Sequence, residues 1–396
     1  MKQTNFSWKK NGRLYFAIIM IVLIALICLT AKNAKGQSTT NGTNVVLTAV
    51  PFLTINTDMR SAGMGDAGVA SSPNVNAQHG NAAKYPFLNK DMSVGFSYSP
   101  WMRAVTKNIN LAYLSGYKKI GDDQVISASL RYLSLGDVTH MSAANELVGQ
   151  YSPNEFAVDI AYSRLLSENF SGAVTFRYIR SDITSGQMVN GAASHAGMAV
   201  AADIAGYYYR EISRGRRNNL FMAGFNISNI GNKISYTDGE VKDFLPTMIK
   251  LGAAYKVELE DYHTIEFAFE ASKLLVPTPQ RDSIGNFSGV ATGSGFSSDQ
   301  SVVSGIFSSF GDAPGGMKEE VQEVNLSVGM EYWYNQQFAA RIGYFYENEN
   351  KGNRQFLTAG VGLRWNTMEM NFSYIVPMAK NHPLANTIRM GLAFKF

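Results

Sequence analysis

Residues 387–396 of this 396-residue chain alternate strictly: Ile388, Met390, Leu392, Phe394 and Phe396 share one face of an extended strand, with Arg389, Gly391, Ala393 and Lys395 on the other. One face suits hydrocarbon and the other suits water. A β-strand has a side-chain period of two, and in a bilayer every backbone N–H and C=O needs a partner. A strand of this kind therefore spans a membrane only as part of a closed barrel.

The same period recurs upstream. Alternating segments fall at 92–98, 109–113, 126–132, 156–162, 174–178, 198–208, 221–227, 249–255, 265–269, 324–332, 340–346, 357–365 and 368–374, which with 388–396 makes fourteen. An even count is what a single-chain bacterial barrel with both ends on one side requires. Connection lengths give an independent check. If the first strand runs outward, the inner turns are 119–123, 167–169, 211–218, 257–262, 335–337 and 366–367, all short. The outer connections then include 134–154, 181–194, 228–246 and the largest, 273–323. The expected fold is all-β, a 14-stranded antiparallel transmembrane barrel. A soluble β-sandwich would carry charge on the face opposite its hydrophobes. Here that face holds Gly, Ala, Ser and Asn with scattered Arg131, Asp159, Arg177, Glu266, Glu331 and Arg364, as suits a crowded lumen. Strand-end aromatics such as Tyr98, Tyr132, Tyr162, Tyr332, Tyr346, Trp365 and Tyr374 fit interfacial girdles.

The amino terminus reads as an export signal over 1–36. Lys2, Lys9, Lys10 and Arg13 precede an apolar run, 14–29, of 16 residues, and small residues Ala34 and Gly36 flank Lys35 ahead of Gln37. That run is shorter than the roughly 20 residues of a spanning helix. Cys28 lies inside it, behind Ile27, so a lipoprotein signal is disfavoured. Loss of 1–36 removes six of the 35 basic residues and no acid, leaving 29 against 31 acidic groups, a net of −2. The basic whole-chain balance is thus a property of the leader, and nucleic acid is not an expected partner. The single cysteine leaves too, so no disulfide is expected. With 20 Tyr, 23 Phe and 36 Gly and no further long apolar run, membrane residence falls to strands.

Residues 37–91 lack alternation and are rich in Gly, Ala, Asn and Ser. An empty fourteen-stranded lumen would leak, so this segment is expected to fold as a plug inside the barrel formed by 92–396. Its motif residues are Arg60, Gly63, Gly65, Asp66 and Gly68, the glycines allowing close approach to the wall. Gly63-Met64-Gly65-Asp66-Ala67-Gly68 matches a dinucleotide pattern only literally, because no βαβ unit surrounds it. Ser194 and His195 are adjacent and would point to opposite faces of an extended chain, so no nucleophile and base share a face. No metal-ligand spacing occurs and no cofactor is expected. The acidic pairs Asp122-Asp123 and Glu319-Glu320 read as solvated, and 318–323 as a soluble cap. The 273–323 connection is the candidate partner-binding loop through Leu274, Leu275, Val276, Phe287, Phe296, Ile306, Phe307 and Phe310. Its apolar side chains must pack on neighbouring loops or form a groove for a partner or ligand.

The mature chain resembles the PorV family, outer-membrane barrels of the type IX secretion system related distantly to fatty-acid transport barrels, on four sequence stretches. These are Ala49-Val50-Pro51-Phe52-Leu53, then residues Asp58 to Ala70 around the glycine motif with Asn81-Ala82-Ala83, and Gly95-Phe96-Ser97-Tyr98-Ser99-Pro100-Trp101. The transport barrels usually read Asn-Pro-Ala where this chain has Asn81-Ala82-Ala83, a departure that weighs against a lipid-transport role. The resemblance implies a non-enzymatic protein that docks beside a large outer-membrane translocon and takes secreted cargo by its C-terminal signal domains. It also implies delivery of that cargo to a surface attachment complex containing a sortase-like protease. The aromatic ending, Phe394 and Phe396, resembles the assembly signal of outer-membrane barrels. The alternative is a passive transporter of hydrophobic small molecules such as long-chain fatty acids. Outer-membrane lipid is the expected surrounding in either case.

Overall fold

The computed structural model describes residues 44–396 apart from 107, 142–146, 187, 190–191, 215–216, 239–241, 261, 279–299, 380–381 and 386. The expected leader, and Phe287 and Phe296, lie outside the described residues.

The strands are β1 (Met92–Pro100), β2 (Asn110–Ile120), β3 (Gln124–Ser134), β4 (Val138–Met141), β5 (Leu147–Tyr151), β6 (Asn154–Ser167), β7 (Phe170–Asp182), β8 (Met188–Val189) and β9 (Ala192–Ala193). They continue as β10 (Gly197–Arg214), β11 (Arg217–Gly231), β12 (Met248–Glu260), β13 (His263–Leu274), β14 (Asn325–Tyr334), β15 (Phe338–Tyr346), β16 (Phe356–Trp365), β17 (Met368–Pro377) and β18 (Ile388–Lys395). Fourteen close into one antiparallel barrel, while β4–β5 and β8–β9 are small hairpins within two of the long connections. All fourteen alternating segments identified from sequence overlap barrel strands. Several strands are longer than the alternation shows: β10 and β11 run past Tyr208 and Phe221 to a tip where Arg214 pairs with Arg217 in register, because polar residues there occupy both faces.

Alternation sorts the faces as hydrocarbon outside and packing inside demand. On β3, Ile126, Leu130 and Tyr132 point outward and are exposed, while Val125, Ser127, Ser129 and Arg131 point inward and are buried. The chain closes where β18 pairs β1, Phe394 opposite Val94. The backbone N–H of Phe396 donates to Met92 O at 2.9 Å. Short turns gather at one rim and long connections at the other, the arrangement of periplasmic and extracellular ends in bacterial barrels.

The interior is layered, and the segment before β1 threads all the layers. At the long-loop rim, Val50, Phe52 and Leu53 pack with wall residues Leu111, Leu133 and Ile179 and with Ile234 and Leu245 of the connection between β11 and β12. At the short-turn end, Val69, Val75, Ala83 and Tyr85 pack with Tyr117, Val125, Tyr207 and Met222. Between these apolar layers lies a belt of buried charge. Arg131, Asp159, Arg177 and Asp203 each sit two residues from a wall position of one layer or the other. At Asp203 a register shift between β10 and β11 accommodates the carboxylate, which takes both Arg177 (3.0 Å) and the backbone N–H of Asn229 (2.8 Å).

Candidate functional site

The sequence-identified residues of the N-terminal segment are fastened to the wall one by one. Asp58 caps the turn Met59–Ala62 by accepting from the backbone N–H of Arg60. The Arg60 guanidinium then meets two wall carboxylates, donating to Glu331 at 2.8 and 2.5 Å and to Glu266 at 3.2 Å, with a further bond to Ser72 O at 2.8 Å. Arg341 also donates to Glu331, at 2.6 Å, so the belt alternates charge. Gly65 has φ +66° and its N–H donates to Thr358 Oγ1 at 2.8 Å. A Cβ there would stand 2.6 Å from backbone atoms of Tyr344, so both the conformation and the space require glycine. Gly63 lies against Gly360, where the wall in turn lacks a side chain. Asp66 bonds Arg389 at 3.0 Å and Asn56 at 3.0 Å. The N–H groups of Gly68 and Val69 both donate to Glu270 Oε2 at 2.8 Å, and Gly68 O accepts from Lys84 Nζ at 2.7 Å. Asn81, the first residue of the departing Asn-Ala-Ala, donates to Val69 O and to wall residue Gly206 O, both at 3.0 Å.

Sequence reasoning did not single out Arg131 or His79 as parts of this fastening. Arg131 donates to Leu53 O at 2.6 Å and lies 2.5 Å from His79 Nδ1, pinning two turns of the segment at once. A buried arginine on a lumenal face was the available signal, since its donors demand acceptors.

Above the belt a cavity of about 960 Å³ opens among the long connections. Its floor is the segment from Ala49 through Ile55, with Asn56 and Asp66 behind it. Its lining is apolar over most of its area and includes Trp101, Met102, Ile109, Leu133, Leu135, Ile183, Phe345, Phe356 and Leu384, with polar points at Glu155, Asp243, Lys250, Glu270, Arg354, His382 and Arg389. Arg354 is held by Glu347 through bonds of 2.8 and 2.7 Å, and Arg389 stacks its guanidinium 5.6 Å from the Trp101 ring. Burial, reinforced by the charge of Arg354, lowers the His382 imidazole below its ordinary pKa, while Glu347 opposes the shift. His382 Nδ1 accepts the Leu384 N–H, 3.1 Å away.

The largest connection divides into a packed root and an exposed crest. Leu275 and Val276 are buried beside the rim and Leu274 is half-buried. The helical turn Val302–Ser308 seats Gly305 against Phe244 and Pro277, with Ile306 half-buried. Val303 and Phe307, one turn apart, face outward, Phe307 at 74 % exposure and Phe310 at 51 %. The second turn, Met317–Gln322, likewise turns Met317 and Val321 outward. One expectation is corrected: Glu320 and Glu323 are not solvated but buried. Lys273 at the end of β13 bonds both Glu320 (3.1 Å) and Glu323, and Lys351 bonds Glu319 (2.6 Å) and Glu323 (2.9 Å). Charge that looked like a soluble cap is a latch because Lys273, at the root of the connection, and Lys351, from beyond it, neutralise it. Asn44, where the described chain begins, joins it through Glu319 at 2.8 Å.

Among the described residues, no group of three His, Cys, Asp or Glu could hold a metal ion. His195 meets only the exposed Asp238, at 3.5 Å, as an ion-pair partner.

The family model of the type IX secretion system protein PorV matches residues 37–281. The chain belongs to the PorV family. It is accordingly an outer-membrane barrel of the type IX secretion system. No curated protein matches the sequence. Among solved structures, the Pseudomonas putida toluene transporter TodX is similar at 11 % identity and a TM-score of 0.49, over 84 % of this chain and 96 % of that one. A Pseudomonas aeruginosa FadL homologue is similar at 9 % identity and a TM-score of 0.43, over 90 % and 100 %. The CymD monoaromatic hydrocarbon channel is similar at 12 % identity and a TM-score of 0.47, over 90 % and 98 %.

Proposed function

We propose that this PorV-family barrel is a carrier that works at its extracellular rim. It takes secreted proteins by their C-terminal signal domains as they leave the large translocon and brings them to the sortase-like attachment complex, without itself catalysing a reaction. The observation that carries this reading is the contrast between the two halves of the lumen. Below, the N-terminal segment is held by buried ion pairs and glycine-tight contacts, which oppose conduction. Above, a largely apolar cavity opens among the long connections, and the largest connection exposes its Phe307 and Phe310 side chains. A rim with both a recess and apolar anchors suits a folded protein partner, for which buried aromatic anchors supply most of the affinity.

The cavity also favours a second reading. It has the size and apolar lining of a small-molecule site, so a passive transporter of fatty acids or similar hydrophobes would use it too. Affinity purification of the full-length protein from detergent-solubilised outer membranes separates the two. Co-purification of a giant outer-membrane protein, together with secreted proteins sharing one terminal domain, supports the carrier; bound fatty acid and no such proteins would reverse the order.

A further inference from the structure

At the short-turn rim one hairpin outreaches its neighbour. β10 pairs with β7 only as far as Tyr208 opposite Phe170, and the last bond between them runs from the Tyr209 N–H to Asn169 O at 2.8 Å. β10 nevertheless continues to Arg214, paired only with β11. The other side of this hairpin is covered: Asn218 N–H donates to Glu258 of β12 at 2.9 Å, and Glu258 N–H reaches Asn219 Oδ1 at 3.3 Å. Among the described residues, the edge 210–214 of β10 therefore has no strand beside it over roughly 17 Å of extended chain.

The ladder fixes which backbone groups this edge presents. Tyr209 directs its N–H towards β7, so Glu211 and Ser213, two and four residues on, direct theirs the same way, into open water. Arg210, Glu211, Ile212 and Ser213 are all exposed. In sequence, residues 210–217 carry four arginines, Arg210, Arg214, Arg216 and Arg217, against Glu211, a balance that stays positive when Glu258 of β12, bonded to the hairpin at Asn218, is counted. An uncovered strand edge is a template for another strand, and proteins usually blunt such edges with a charge, a proline or a bulge. Here the charges are predominantly of one sign, so they repel a second copy of the same edge and attract a strand of opposite sign.

We propose that the periplasmic edge 210–214 of β10 receives an extended, acidic segment of another periplasmic protein by strand addition. The Glu211 and Ser213 amides supply the ladder bonds, and the positive charge of the hairpin selects a strand rich in carboxylates. The contact lies at the opposite end of the barrel from the cargo rim, and does not depend on the carrier reading.

The test is photo-cross-linking in living cells with a benzophenone amino acid replacing Ile212 in the full-length protein. The expected result is an adduct with one periplasmic protein, mapped by mass spectrometry to an extended stretch rich in Asp and Glu. Ser213→Pro removes an outward amide that the β11 ladder does not use, and should cut the adduct roughly tenfold while the barrel still assembles. Arg210→Glu with Arg214→Glu should do the same, and provides a second readout if the proline variant assembles poorly. An adduct indifferent to both changes, an adduct with phospholipid alone, or no adduct from assembled barrels would overturn the proposal and leave the arginines as guards of a bare edge.

Discussion

Replacing Arg60 with alanine should unfasten the N-terminal segment without dissolving the barrel. Arg60 is 6 % exposed and neutralises Glu266, which has no other ion-pair partner among the described residues, and shares Glu331 with Arg341. Because Glu331 keeps Arg341, the damage concentrates at Glu266, a buried carboxylate left with only its hydrogen bonds from Ser72. Removing one partner of a buried pair costs about 3–5 kcal/mol, and the surviving bonds place this case at about 3 kcal/mol. That is roughly a hundredfold in the equilibrium between the seated and released segment. The barrel strands make their ladders elsewhere, so heat-modifiable migration should be unchanged. Hydrogen exchange of purified protein should show faster exchange across 56–72, and planar bilayers should show current where the parent shows none. Arg60→Met with Glu266→Gln removes both charges and should restore most of the protection. If Arg60→Ala leaves exchange across 56–72 and bilayer current at parental levels, the ion-pair belt does not hold the segment.

Gly65→Ala should release the same segment by a steric route, because its Cβ would sit 2.6 Å from Tyr344 backbone atoms at a φ of +66°; trypsin sensitivity of folded barrels reads this out. Phe307→Glu with Phe310→Glu should leave assembly intact, since both side chains are exposed, yet reduce surface delivery of cargo at least about tenfold in a cell-surface blot. The latch of the largest connection should loosen in acid. Burial raises the Glu319 carboxyl, but hydrogen bonds from Lys351, Asn44 and the Gly315 N–H together with the Lys351 charge outweigh it, so its pKa is lowered on folding. Its contribution is therefore complete above the ordinary carboxylate range, about 4.3, and is lost as pH falls below it towards the depressed value. Proteolysis of 300–323 should accelerate below about pH 4, and Lys351→Met should give that sensitivity at neutral pH. Phe396→Lys should lower the amount of assembled barrel in the membrane, measured as the heat-modifiable fraction, because it places charge on an exposed apolar face beside the closing seam.

The barrel was legible because its constraint is periodic. Alternation at Met92, Val94, Phe96 and Tyr98 marks a strand whatever surrounds it, and connection length fixes which rim is which. The segment before β1 stands apart in the sequence by its lack of alternation and its Gly-, Ala-, Asn- and Ser-rich composition. The positions of Arg60 and Gly65 against Glu331 and Tyr344 depend on pairs separated by hundreds of residues, and no local pattern records them. The largest connection was misread where charge was concerned. Glu320 and Glu323 look solvated in a run of polar residues until folding brings Lys273, at the far root of the connection, and Lys351, beyond it, against them. The protruding tip of β10 was read as a turn, since a strand outside the bilayer has no apolar face to display.

The most direct measurement is titration of the purified barrel in lipid nanodiscs with an isolated C-terminal signal domain from a secreted protein of the same cell. The account predicts saturable binding at one site, weakened by Phe307→Glu with Phe310→Glu and unchanged by Ser213→Pro. No binding of the domain, alongside tight uptake of a fatty acid into the rim cavity, would contradict it.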